Sequence, residues 1–158
     1  MLPMQIRLLP RLLLWSASAA LAACSAAAPA PTHRRGNEAV HWLGTWASSQ
    51  QIPEPDNTLP PAALTNATLR QIVHLSVGGH ELRIRFSNVF GTSSLRIVAA
   101  HIAKPVSRTT GQIDPATDTP LTFGGRAGVT IRPGAAYHSD PVAFDAKPLS
   151  DLAVTIYL

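Results

Sequence analysis

The sequence predicts an all-β fold, a two-sheet β-sandwich or jelly roll of about eight strands, preceded by a signal peptide and a flexible linker. Two observations carry the fold class. Apolar residues recur with period two, and no window sustains the 3.6-residue period of an amphipathic helix. Glycine and proline turn signals divide the chain into short runs at regular spacing.

The clearest run is Leu82, Ile84 and Phe86, which alternate with Arg83, Arg85 and Ser87. Alternate side chains of a strand point to opposite faces, so three large apolar groups share one face and the arginines the other. Upstream, Leu69, Val73, Leu75 and Val77 share a face opposite Arg70, His74 and Ser76. Gln71 and Ile72 break that alternation, which suits a strand covered on both sides. Gly78-Gly79 between the two runs predicts a short hairpin, since glycine tolerates the positive φ of such turns.

The other expected strands are Trp42–Ala47, Leu95–Ala103, Thr119–Phe123, Val129–Ile131, Tyr137–Phe144 and Leu152–Leu158. Pro141 inside Tyr137–Phe144 favours an edge or a bulge. Pro53, Pro55, Pro60 and Pro61 mark a long loop after the first strand.

Residues 1–23 read as a bacterial lipoprotein signal peptide. Arg7 and Arg11 give a positive start, and Leu12-Leu13-Leu14-Trp15 opens an apolar stretch too short for a membrane span. The stretch ends Leu21-Ala22-Ala23-Cys24, which resembles a lipobox, and Cys24 would carry the lipid. Cys24 is the only cysteine, so neither a disulfide framework nor a cysteine metal site is available. Residues 24–40 are an Ala/Pro-rich tether, and 41–158 form the β-domain. The expected location is outside the cytoplasm, lipid-anchored to the cell envelope at the outer membrane or cell surface, or otherwise periplasmic or secreted.

Of the 13 Lys and Arg residues, Arg7 and Arg11 leave with the signal, and the remainder face 9 acidic residues, so the mature net charge is about +2. The basic residues alternate with apolar ones or sit in loops. That is a solvated face and not a nucleic-acid stripe.

No Gly-x-Ser-x-Gly elbow, dinucleotide or P-loop fingerprint, or His-Glu-x-x-His is present. The six histidines read as isolated surface or strand-face residues, and Ser139-Asp140 before Pro141 as turn chemistry. No catalytic residue, metal site or cofactor is assigned. Trp42 and Trp46, four apart on one strand face, suit core or domain-interface packing or, alternatively, stacking on a sugar. Asn88 and Phe90, where a strand meets a turn, are candidates for a domain interface or a substrate cleft.

Seven segments, in order, are similar to one known domain. They are Trp42-Leu43-Gly44-Thr45-Trp46-Ala47, Leu69–His74, Ser76-Val77-Gly78-Gly79, Leu82–Gly91, Pro120-Leu121-Thr122-Phe123-Gly124-Gly125, Ser139-Asp140-Pro141-Val142 and Leu152–Leu158. Together they resemble the N-terminal β-domain of secreted bacterial SGNH/GDSL-type hydrolases. The resemblance implies a parent esterase acting without a metal on acylated carbohydrates or lipids. Its Gly-Asp-Ser, Gly, Asn and Asp-x-x-His blocks would lie in a following hydrolase domain, and none occurs here. The chain is therefore expected to be an N-terminal fragment, inactive alone, partnered by that domain and by the membrane. The alternative is a self-contained carbohydrate-binding lipoprotein domain using Trp42 and Trp46.

Overall fold

A computed structural model describes residues 4–7, 41–52 and 54–158. Cys24, the tether and the rest of the expected leader lie outside the described residues. The fold is all-β, with eleven strands among the described residues. They are β1 (Met4–Arg7), β2 (Trp42–Trp46), β3 (Thr68–His74), β4 (Gly79–Ser87), β5 (Leu95–Ile97), β6 (Ala99–Ala103), β7 (Thr119–Pro120), β8 (Val129–Ile131), β9 (Ala136–His138), β10 (Val142–Ala146) and β11 (Asp151–Tyr157). Among the described residues three short 3-10 turns, Pro55–Asn57, Pro61–Leu64 and Pro115–Thr117, each begin on a proline, whose fixed φ suits the first helical position. No helix among the described residues is long and apolar enough to cross a membrane.

All strand pairings are antiparallel. One sheet runs β10-β4-β1-β2, with β9 also on β4; a second runs β3-β11-β6-β7; β5 and β8 form a two-stranded ribbon. The alternation in β4 is as expected, with Leu82, Ile84 and Phe86 buried and Arg83 and Arg85 half-buried. Met4, Leu82, Ile84 and Phe86 meet Val73, Ile102, Leu152 and Val154 of the second sheet in one core. Burying each large apolar side chain contributes about 1.5–3 kcal/mol. Ala153 of β11 is buried as well as Leu152 and Val154, so this central strand is covered on both faces.

Four expectations change, and the first is that the expected strand Thr119–Phe123 is only the two-residue β7. The run Leu95–Ala103 is two strands: Val98 is exposed at the break, β5 pairs with β8, and β6 pairs with β11. Tyr137–Phe144 is likewise interrupted at Ser139-Asp140-Pro141, where proline lacks a ladder donor, and both halves lie along β4. Finally, Gly78-Gly79 makes no hairpin, because β3 and β4 belong to different sheets. The segment Leu75–Gly78 crosses between sheets instead. Neither glycine has positive φ. Gly78 is needed for close approach: a Cβ there would lie 2.6 Å from the Ala146 carbonyl oxygen and from Pro148.

β1 falls within the expected leader. It pairs with β2 from Arg7↔Trp42 to Met4↔Trp46, and with β4 from Arg7↔Glu81 to Met4↔Ile84. Met4 is buried in the core. A chain starting at Cys24 would lose this strand, leaving β4 an unpaired edge opposite β1 and β2 without its ladder partner.

Candidate functional site

Several of the segments singled out in the sequence meet in space through hydrogen bonds. Thr45, 3% exposed, anchors the crossover segment to β2. Its hydroxyl donates to the Val77 carbonyl (2.8 Å) and accepts from the Val77 N–H (3.0 Å). The Ser76 N–H and hydroxyl both donate to the Thr45 carbonyl. Ser139 is equally buried, and its Oγ accepts the Ile84 N–H at 2.9 Å while its own N–H donates to the Ile84 carbonyl. That serine hydroxyl fills the ladder where β9 gives way to β10.

Asp140 does more than form a local turn. Its carboxylate accepts the Gly124 N–H (2.9 Å), the Gly125 N–H (2.8 Å) and the Thr122 hydroxyl (2.7 Å). Gly124 and Gly125 have φ of +60° and +76°, the left-handed region where glycine pays no Cβ penalty. The N–H groups of Gly125 and Gly124 and the Thr122 hydroxyl hold the Asp140 carboxyl below its ordinary value, against a smaller opposing effect of desolvation.

The expected interface residues divide by environment. The Asn88 side-chain amide donates to the carbonyls of Ser93 (2.8 Å) and Ile131 (3.0 Å), tying the turn after β4 to β8. Phe90 is 42% exposed beside exposed Val89. Trp42 is half-buried, with the Arg83 guanidinium 4.4 Å from its ring centroid, a cation–π contact. Arg83 also donates from Nε to the Gln5 side-chain carbonyl at 2.6 Å. Trp46 packs against the core.

Among the described residues three histidines are paired rather than isolated, each through Nδ1 to an aspartate: His74–Asp151 at 2.8 Å, His80–Asp145 at 3.2 Å and His101–Asp118 at 3.0 Å. Local spacing hides these pairs because their members are distant in sequence; His74 and Asp151 are direct partners of β3 and β11, and His101 of β6 meets Asp118 at the end of the Pro115–Thr117 turn. Arg108 donates from Nε to the other Asp151 oxygen at 2.7 Å and also reaches His74 Nδ1. That nitrogen can donate to Asp151 or accept from Arg108, not both. The Arg108 hydrogen bond, and secondarily His74, keep the Asp151 carboxyl below its usual range despite some desolvation. An imidazole held at Nδ1 by a carboxylate leaves Nε2 free to accept a proton, as a general base does. Among the described residues no serine hydroxyl hydrogen-bonds to any of these imidazoles, and no group of three His, Cys, Asp or Glu could hold a metal ion.

The shifted groups predict the acid response. His138, beside Arg83 and Arg85, is held below its ordinary 6.5, chiefly by burial and then by the two guanidinium charges. The unfolded chain therefore takes up that proton first, so stability should fall as pH drops below about 6.5 and level off past the folded value. Asp140 and Asp151, both depressed from 3.8, stabilise the fold above that value and lose the contribution as pH falls through their lower folded values. Urea midpoints measured against pH should show both declines, and His138→Gln should remove the upper one alone.

No protein-family model and no curated protein matches this chain.

Proposed function

We propose that this chain is the accessory N-terminal β-domain of an exported SGNH/GDSL-type ester hydrolase, held at the cell envelope by a lipid on Cys24. The carrying observation is the ordered set of seven segments, and what those segments do in the fold supports the reading. Thr45, Ser76, Gly78, Ser139, Asp140 and Asn88 spend their polar groups or their lack of a side chain on backbone closure. Residues with that duty mark a structural domain, whose chemistry is supplied by a neighbour. Exposed Val89 and Phe90 offer that neighbour an apolar contact. The parent's substrates are acylated carbohydrates or lipids.

The alternative, a self-contained glycan-binding lipoprotein domain built on Trp42 and Trp46, is weaker on geometry. Arg83 takes one face of Trp42, and Trp46 packs inward.

The test extends the gene beyond codon 158. A Gly-Asp-Ser block downstream is expected, and the longer protein should hydrolyse a short-chain nitrophenyl ester that residues 1–158 leave intact. Hydrolysis by residues 1–158 alone, or no such block, refutes the proposal. Labelling with radioactive palmitate should mark the wild type and not Cys24→Ala.

A further inference from the structure

A concavity of about 440 Å³ opens where the β5–β8 ribbon meets β9 and the Phe123–Arg126 turn. Its walls bring together residues no local pattern connects. Arg96 of β5 stands directly opposite Thr130 of β8. Arg126 comes from the glycine turn held by Asp140, and Tyr137 from β9. Ile97, Val98, Phe123 and Val129 supply the aliphatic and phenyl part of the lining.

The charges in this concavity are uncompensated. Among the described residues no carboxylate lines it, and neither Arg96 nor Arg126 has a side-chain ion pair or hydrogen bond. Three other arginines are engaged, Arg83 on Gln5 and Trp42, Arg70 on Thr155 and Arg108 on Asp151, whereas Arg85 and Arg132 lie outside the concavity. Two like charges facing one concavity are unfavourable until an anion joins them. The planar guanidinium fork matches a carboxylate bidentately.

The remaining groups narrow the ligand class. Tyr137 is 45% exposed, yet its ring packs edge-to-face on Phe123 with centroids 6.2 Å apart, and Phe123 packs likewise on Phe86 at 5.5 Å. That row holds the tyrosine as a fixed wall with an apolar ring and a hydroxyl. Thr130 adds a second hydroxyl. A fixed aromatic, hydroxyls and forked cations together complement a ring that has an apolar face, several hydroxyls and a carboxylate. The volume is within the range of small-molecule sites.

We infer that this concavity binds an acidic saccharide, a sugar ring carrying a carboxylate, with Arg96 and Arg126 on the carboxylate and Tyr137 against the ring. The site stands independently of the esterase reading. In such a parent enzyme it would hold an acidic polysaccharide near the hydrolase domain.

The test is calorimetric titration of residues 1–158 with trigalacturonate, its methyl ester and inorganic phosphate. Trigalacturonate should bind, and the uncharged ester and phosphate should bind at least roughly tenfold more weakly, the scale of one lost charge-assisted contact. Arg96→Gln and Arg126→Gln should each weaken trigalacturonate binding by a similar factor. Arg132→Gln, an exposed arginine outside the concavity, should leave it unchanged. Equal binding of the methyl ester or phosphate, no binding by the wild type, or unchanged binding in both concavity variants with native circular dichroism overturns the inference.

Discussion

Phe86→Ala is expected to destabilise the fold by about 3–5 kcal/mol, the range for removing a buried aromatic side chain. Phe86 is 2% exposed in the middle of the core, on the strand that pairs with β1, β9 and β10. Its loss leaves a cavity that rigid neighbouring strands fill poorly. It also removes the edge-to-face contact on Phe123, and through Phe123 the support of Tyr137. Two readouts should therefore move together: the urea midpoint falls sharply, and the Arg96–Tyr137 concavity loses its fixed wall. Phe90→Ala is the control. That ring is half-exposed, and its removal should change stability by less than about 0.5 kcal/mol. A loss near 1 kcal/mol in Phe86→Ala would mean that the core closes around the gap and that the aromatic row does not set the wall.

Phe86 also illustrates what was legible in the sequence. Period-two alternation is a property of the strand itself, so the faces of β4 and the all-β class follow directly from residue order. Sheet membership is not local. The run from Leu95 to Ala103 is mostly apolar, interrupted only by Arg96 and His101, and its pattern gives no reason for Ile97 to join a ribbon while Ala99 joins the β11 sheet. That division depends on partners from β8 and β11. Asp140 shows the same limit. Beside a proline it reads as a turn residue, but it closes a turn fifteen positions earlier, at Gly125. The His–Asp pairs and the arginine concavity are built from residues distant in sequence, on strands and turns, and are invisible to any fixed spacing. For Cys24 the sequence remains the whole argument.

Glycine is the residue whose signal is most easily misread, and Gly78 provides the second large effect. Gly78→Val should cost at least about 3 kcal/mol, at or beyond the upper end of overpacking penalties. The obstacle is backbone: a Cβ would meet the Ala146 carbonyl oxygen and the Pro148 ring at 2.6 Å, and Ala146 is held in register with Gly79. Relief requires parting β10 from β4. Gly44→Ala supplies the contrast, because nothing lies within 4 Å of a Cβ there. It should be neutral or slightly stabilising through reduced freedom of the unfolded chain. Gly78→Asn distinguishes the two possible duties of the glycine. A hairpin turn needing positive φ would tolerate asparagine, which visits the left-handed region more readily than other side chains. A crossover needing empty space rejects it as it rejects valine. Thermal melts should therefore place Gly78→Asn with Gly78→Val, both well below Gly44→Ala. A wild-type melting temperature for Gly78→Asn would restore the hairpin and detach β3 from its place beside β11.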